Sequence, residues 1–324
     1  MGAITEQIEE LDFSSASEED RRGLHEVVAT WSVEGSPGKE RPLYESVVAL
    51  WEHRDDIGFE PARFVVAREE GKIVGYAEVR ISEAEAHADL ANANVVVLPA
   101  YRRRGIGTAL LRAMRSLLSG RTVIESWSVF KDSPAEPFAA AHGFRVISSM
   151  TRQRLDLIDL PEAGELPAGY ELVSWKNVAP EEFVEAYVLA LNGISDAPQG
   201  ETMLDLAGNT IESVRKDEAV TVADRWIVLL LHEGAAAGVT VVELDLTVPA
   251  VAEQLSTVVL PGHRGRGLGR LIKAHMLHNL HGVKTIYTRV SSENEHMLRV
   301  NHSLGYEDTF IYMGVQAKTA DLQV

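Results

Sequence analysis

The sequence predicts an α/β protein built from two similar domains, each a mixed β-sheet flanked by helices. Three observations carry this expectation. The chain has 324 residues, more than the roughly 100–200 of a single domain. It also repeats itself at half its length: residues 94–107 read NVVVLPAYRRRGIG and residues 256–269 read STVVLPGHRGRGLG, with eight of fourteen positions identical. Finally, each half shows hairpin-forming apolar runs followed by strand, helix, strand, helix and strand, an order that makes a mixed sheet.

The same offset of 162 pairs Gly143-Phe144 with Gly305-Tyr306 and Phe64 with Trp226, with one indel near Gly71/Gly234. Copies this long are domains and not the short units of a solenoid. The Pro/Gly-bearing stretch 160–169, LPEAGELPAG, is where the seam is expected, giving domains 1–161 and 162–324. In the first half, strands are expected at 64–68, 73–81, 94–98 and 122–126, and helices at 104–118 and 135–142. The second half begins with a short strand at 170–174. Residues 180–191 (PEEFVEAYVLAL) have helical spacing with Pro near the start, and a further helix is expected at 204–215. Runs 220–231 and 238–247 form a hairpin turning at 232–234, followed by a strand at 255–260. A helix at 266–281, a strand at 285–290, a helix at 293–303 and a closing strand from Gly305 complete the half.

Composition excludes several classes of chemistry. With no cysteine, the chain has no disulfide, thiolate metal site or cysteine nucleophile, as suits a cytoplasmic protein. A net charge of −17 argues against nucleic acid as a partner, even beside the cluster Arg102-Arg103-Arg104. Residues 1–13 are acidic and lack the basic start and apolar core of a signal peptide. The longest apolar runs, such as 227–231, are strand-sized, so no membrane association is expected. His275, His278 and His281 recur every third residue; each step turns the side chain by about −60°, so they fan out and no metal is expected.

The informative segment is strand, glycine loop and helix. Glycines let the backbone wrap closely around a ligand, and the first helical turn offers unpaired N–H groups at the positive end of its dipole. Together these make a pyrophosphate cradle. Arg-x-x-Gly-x-Gly alone is weak, expected by chance in about one chain in ten of this size. Two copies at equal positions, each between a strand and a helix, are much stronger. The pattern is neither the dinucleotide fingerprint nor a P-loop.

Val-Val-Leu-Pro-x-x-Arg-x-x-Gly-x-Gly after a hairpin resembles motif A of the GCN5-related N-acetyltransferases (GNAT). Asn294-x-x-Met297-x-x-x-Asn301-x-x-Leu304-Gly305-Tyr306 resembles that family's motif B. The resemblance covers both halves, in a mycothiol-synthase-like tandem arrangement. It implies acetyl-CoA as co-substrate and a sheet that splays open beside the fourth strand, where pantetheine adds as a ligand edge. Carried over, pantetheine falls on Thr257, Val258 and Val259, and the diphosphate on Arg264, Gly265, Arg266, Gly267, Leu268, Gly269 and Arg270. Asn294 and Asn301 complete the second-half cofactor contacts. The first-half equivalents are Val95, Val96 and Val97, then Arg102, Arg103, Arg104, Gly105, Ile106, Gly107 and Thr108.

Acetyl transfer to an amine needs a neutral nitrogen, and an alkyl ammonium has a pKa of about 10.4, so a base is required. The leaving thiol, with an intrinsic pKa of about 8.5, needs an acid less. Without cysteine the natural route is direct attack in a ternary complex, with a backbone N–H near Val259 meeting the oxyanion. Glu253 lies six residues before Val259, which places it on the alternation face of Leu255, Thr257 and Val259. In similar acetyltransferases a glutamate at this strand position is the base; otherwise Glu253 is a solvated carboxylate in a turn at 249–254. The first half has Ala91 there. Glu243 and Asp245 stand in reserve. Asn294 matches the family's cofactor-contacting Asn, where the first half has Asp132. Asn301, and Ala139 in the first half, occupy the position of the family's general-acid tyrosine, leaving the acid unassigned among Tyr306, Tyr312 and His302. Asp196 and Glu201 are either ligands for a cationic amine or parts of a turn and helix cap.

The expected activity is therefore acetyl-CoA-dependent N-acetylation of a small-molecule amine by a monomer or homodimer, with the second domain catalytic. The first domain is expected either to bind acetyl-CoA without chemistry or to shape the cleft. The rival readings are mycothiol synthase chemistry proper and a non-catalytic acyl-CoA-binding sensor.

Overall fold

The computed structural model describes residues 7–35, 41–52, 59–82, 85–198, 200–203, 208–220, 223–245 and 250–324. The chain divides into two compact units. The first comprises Met1–Ser149, Gly200–Leu204 and Tyr312–Val324, and the second Met150–Gln199 and Asp205–Ile311. The first contains β1 (Gln7–Leu11), α1 (Glu18–Gly35), α2 (Tyr44–Glu52), β2 (Arg63–Glu69), β3 (Lys72–Ile81), β4 (Leu90–Val97), α3 (Ile106–Ala113), β5 (Val123–Phe130), α4 (Ala135–Ala141) and the start of β6 (Arg145–Asp156). The second holds the rest of β6, then β7 (Tyr170–Lys176), α5 (Val184–Asn192), α6 (Ile211–Val220), β8 (Ala223–His232), β9 (Ala235–Asp245), β10 (Val251–Val259), α7 (Leu268–Asn279), β11 (Thr285–Ser291) and α8 (Glu295–Ser303). β12 (Glu307–Lys318) starts in the second unit and ends in the first.

The strands run β1-β2-β3-β4-β5-β12 in the first unit and β7-β8-β9-β10-β11-β6 in the second. Among the described residues of each unit only β4/β5 and β10/β11 pair in parallel, so each unit has the expected mixed α/β sheet. The closing strands depart from the expectation that each half completes its own sheet. Residues 312–318 of β12 pair with β5, and residues 150–156 of β6 pair with β11. Each half-chain thus gives its last strand to the other half's sheet, and residue 162 lies inside the second unit.

Several boundaries moved for local reasons. The helix expected at 104–118 ends at Ala113 and tightens into a 3-10 turn at Met114–Leu118. The helix expected at 204–215 begins at Ile211, because Thr210 and Ser213 exchange backbone-to-hydroxyl bonds of 3.1 and 2.9 Å as a capping box. Residues 204–207 lie outside the described residues, as do 221–222 of the expected 220–231 run and 246–247 at the end of the expected 238–247 strand. Helices α1 and α2 were not anticipated. No helix among the described residues is long and apolar enough to cross a membrane.

The second sheet is buried on both faces. Val239, Val241 and Val258 pack against Val184, Tyr187 and Ala190 of α5. Val242, Ala252 and Ile286 pack against Ala274, Met276 and Leu277 of α7. Among these, Lys273 of α7 is 1% exposed, its Nζ 5.0 Å from the Tyr306 ring centre. Burial lowers its pKa from 10.5 to about 7, so the unfolded chain holds this proton more tightly than the native state does. Lys273→Met should therefore be more stable than wild type, with the advantage largest below about pH 7 and shrinking as pH rises toward 10.5. Urea melts at pH 6.5 and 9 test this; a variant less stable than wild type at pH 6.5 would contradict it.

Candidate active site

In the second unit β10 pairs with β11 only over residues 251–254. Residues 256–259 keep β9 as a neighbour, but among the described residues no strand pairs on their other side. β4 parts from β5 in the same way after residues 90–92. Each parted strand runs into a 3-10 turn, Pro261–His263 or Pro99–Tyr101, and then into the glycine loop. Gly265 and Gly267 take left-handed φ of 74° and 73°, as do Arg103 and Gly105 at 64° and 89°. Such angles are routine for glycine and costly for arginine.

Arg264 N donates to Pro261 O at 3.3 Å, and the next backbone bond is Leu271 N to Gly267 O at 3.1 Å. Among the described residues the amides of 265–270 therefore have no backbone partner. In the first loop the matching bonds are Arg102 N to Pro99 O (3.3 Å) and Ala109 N to Gly105 O (3.0 Å), leaving the amides of 103–108 without backbone partners. Six consecutive amides at a helix start suit a diphosphate in each unit.

The leading arginines play another part than the expected one. Arg264 Nε donates to Val259 O at 2.8 Å and Nη2 to Asp196 at 2.8 Å. Arg102 repeats this with Val97 O at 2.9 Å and a two-pronged bond to Glu34 at 2.6 and 2.5 Å. Glu34 and Asp196 are themselves 162 residues apart, so the clamp is part of the repeat. It fixes the end of the parted strand over the loop. Arg270 donates to Glu162 O at 3.3 Å. Asn294 caps α8 by accepting from Met297 N at 3.1 Å. Asn301 is fully buried and donates to Gln153 at 2.6 Å, so it presents no surface to a cofactor.

The alternation argument for Glu253 fails on a β-bulge. The β10/β9 register shifts between Gln254 and Ser256, whereas β4 pairs with β3 without a break. Gln254 Nε2 donates to Thr240 Oγ1 at 2.9 Å, and Thr240 and Thr257 hydroxyls lie 2.9 Å apart, so Gln254 and Thr257 share one face. Glu253 shares the opposite face with Ser256 and Val258. Allowing for the extra residue, its first-half counterpart is Asn92 and not Ala91. The parallel pairing agrees, placing Glu253 beside Tyr287 and Asn92 beside Glu125.

Glu253 Oε1 accepts from Arg152 Nη1 at 2.6 Å and lies 3.5 Å from Arg289 Nε. Arg152 is 5% exposed, with its guanidinium 4.6 Å from the Tyr287 ring centre. Among the described residues Glu253 Oε2 has no hydrogen-bond partner. Glu243 pairs with Arg225 at 2.9 Å, and the Asp245 side chain lies outside the described residues. Asp196 and Glu201 are both taken by arginines, Arg264 and Arg145, so neither stands ready for an amine. Of the acid candidates, the Tyr306 hydroxyl is buried with no hydrogen-bond partner among the described residues, and burial, aided by the Glu253 charge, pushes its pKa up. His302 is exposed and paired with Asp308 at 2.8 Å, and Tyr312 lies against Phe130. In the first unit Asn94 Oδ1 accepts from Ser126 and Ser128 at 2.9 and 2.7 Å, bridging the gap between β4 and β5. The sequence signal for this was the replacement of Ser256 by Asn at the matching position, and it went unread.

Parted parallel strands beside a helix-start amide cradle define the class: an acyltransferase fold that takes acyl-CoA. Residues 60–146 match the acetyltransferase (GNAT) domain family. A mycothiol acetyltransferase from Thermomonospora curvata is 31% identical over 252 residues, covering 76% of this chain and 79% of the relative. One from Nocardia farcinica is 28% identical over 273 residues, covering 80% and 84%. Among solved structures, a tandem GNAT protein from the clavulanic acid biosynthesis pathway superposes with a TM-score of 0.77 at 25% identity, over 97% of this chain and 98% of that one. A GCN5-related N-acetyltransferase from Sphaerobacter thermophilus shares the fold, with a TM-score of 0.70 at 17% identity, over 97% of this chain and 95% of that one. The chain belongs to the GNAT family of N-acetyltransferases, as a tandem member homologous to the mycothiol acetyltransferases.

Gly238 tests how tightly β9 and β10 must approach at the loop. A Cβ there would lie 2.6 Å from Val258 O, while one on Gly262 would meet nothing within 4 Å. Gly238→Ala should cost about 1–3 kcal/mol and Gly262→Ala almost nothing, as read by thermal melts. Equal stability of the two variants would contradict the register.

Proposed function

We propose that the protein transfers an acetyl group directly from acetyl-CoA to the primary amine of a small molecule in the cytoplasm, with the chemistry in the second unit. The observation that carries this reading is the bulge in β10. It turns Glu253 toward the face of Ser256 and Val258, beside a strand edge left open, and β4 has neither the bulge nor the carboxylate. The similarity to mycothiol acetyltransferases supports a small-molecule acceptor.

In this reading the amides of 265–270 hold the diphosphate, and the open edge at 257–259 takes the pantetheine amides. Acetyl-CoA supplies the thioester. The amine nitrogen forms a bond to the carbonyl carbon as the carbon–sulfur bond breaks; sulfur leaves with the bonding pair and is protonated from solvent. Glu253 Oε2 takes the amine's surplus proton. Arg152 is a positioning residue, because its buried guanidinium holds Oε1 and fixes the direction of the second oxygen.

Glu253→Gln should lower kcat by on the order of 10²–10⁴ on a verified acceptor, with the affinity for acetyl-CoA little changed. Thiol release across an amine panel measures it. Full activity in Glu253→Ala would remove the base assignment, and no thiol release by wild type with any amine would favour a binding-only protein.

A further inference from the structure

Glu69 and His232 occupy one and the same place in the two units and differ in charge. Glu69 pairs with Lys72 across a turn with Glu70 and Gly71 at φ 51° and 79°. His232 pairs with Ala235 across a turn with Glu233 and Gly234 at φ 51° and 80°. The first hairpin end meets its loop arginine directly, Glu69 on Arg104, whereas His232 and Arg266 both meet Tyr170.

In the first unit Arg104 Nη1 is 3.0 Å from Glu69 Oε1 and its Nη2 donates to Ala100 O at 3.1 Å. The guanidinium thus has a carboxylate partner within the protein, in a pair whose arginine is 41% exposed and whose glutamate is 15% exposed. In the second unit Arg266 Nη1 donates to the Tyr170 hydroxyl at 3.0 Å. That oxygen also lies 2.8 Å from His263 Nδ1, and the His232 ring centre is 4.5 Å from the Tyr170 ring and 5.2 Å from the His263 ring. Among the described residues no carboxylate lies within 4 Å of the Arg266 guanidinium. Burial, and after it the electrostatic influence of His232 and Arg266, lowers the pKa of His263 from its ordinary value.

We infer that the two cradles differ in their appetite for anions: the second, with Arg266 uncompensated beside His232 and His263, takes coenzyme A, while the first is held empty by Glu69. A second feature acts in the same direction. The Asn94 bridge to Ser126 and Ser128 crosses the gap that pantetheine would enter in the first unit, whereas among the described residues no side chain bonds from Ser256 to β11. The tandem chain would then carry one coenzyme per molecule. The charge at position 232 is a specificity determinant for where it sits, a role the Arg-x-x-Gly-x-Gly motif alone does not encode because both copies have it.

This inference rests on the cofactor placement proposed above. The test is calorimetric titration of the full chain with coenzyme A at low ionic strength. Wild type should bind one equivalent. His232→Glu should weaken binding by about tenfold or more and reduce its salt dependence, while the neutral His232→Gln stays within about threefold of wild type. Glu69→His should leave the affinity of the occupied site unchanged. Two equivalent sites in wild type, or an unchanged affinity in a His232→Glu protein whose circular dichroism and melting match wild type, would overturn the inference and leave the cofactor proposal standing. Should His232→Glu fold poorly, the wild-type stoichiometry together with the Glu69→His titration decides. No binding of coenzyme A by wild type would overturn both.

Discussion

The parting of β10 from β11 after residue 254 is the constraint on which the second unit depends. A strand that loses its neighbour leaves backbone N–H and C=O groups without partners, and these need water or a ligand. The fold holds this edge open. Arg264 grips the last strand carbonyl, at Val259, and anchors to Asp196, and Gly238 leaves room for the close approach of β9 to the Val258 carbonyl. The glycine loop can then turn into α7 with its first amides facing outward. A cofactor bearing both amides and a diphosphate answers both sets of orphan groups at once.

The same framework stands in the first unit, so the two sites differ only in a few local features. The Arg102 clamp, the left-handed loop residues and the parted β4 are all present. What differs is local: no bulge in β4, Asn92 in the place of Glu253, Asn94 bridging the gap, and Glu69 on Arg104. None of these changes disturbs the sheet. The first sheet is also completed by the last strand of the other half-chain, so the fold needs this unit whatever its cradle holds.

The motif, the tandem repeat and the order of elements were legible in the sequence because each is set by local pattern: Val-rich runs, glycines in the loop, and apolar spacing in the helices. The exchange of closing strands was not legible, since local pattern marks β6 and β12 as strands but does not say which sheet each one joins. The facing of Glu253 was misread for a physical reason, because a single bulged residue reverses alternation and leaves no mark in composition. The family resemblance places the leading arginines on the diphosphate, whereas their partners Glu34 and Asp196, 68 residues upstream, pair with them only in three dimensions. The buried Lys273 likewise sits on a helix whose pattern gave no hint that its amine is enclosed.

The most direct test of the account is a crystal structure of the chain soaked with acetyl-CoA. The account predicts pantetheine along residues 257–259, the diphosphate on the amides of 265–270, and the thioester carbonyl on the side of the sheet that carries Glu253. Pantetheine lying along β4, or a thioester on the opposite face of β10 from Glu253, would contradict it.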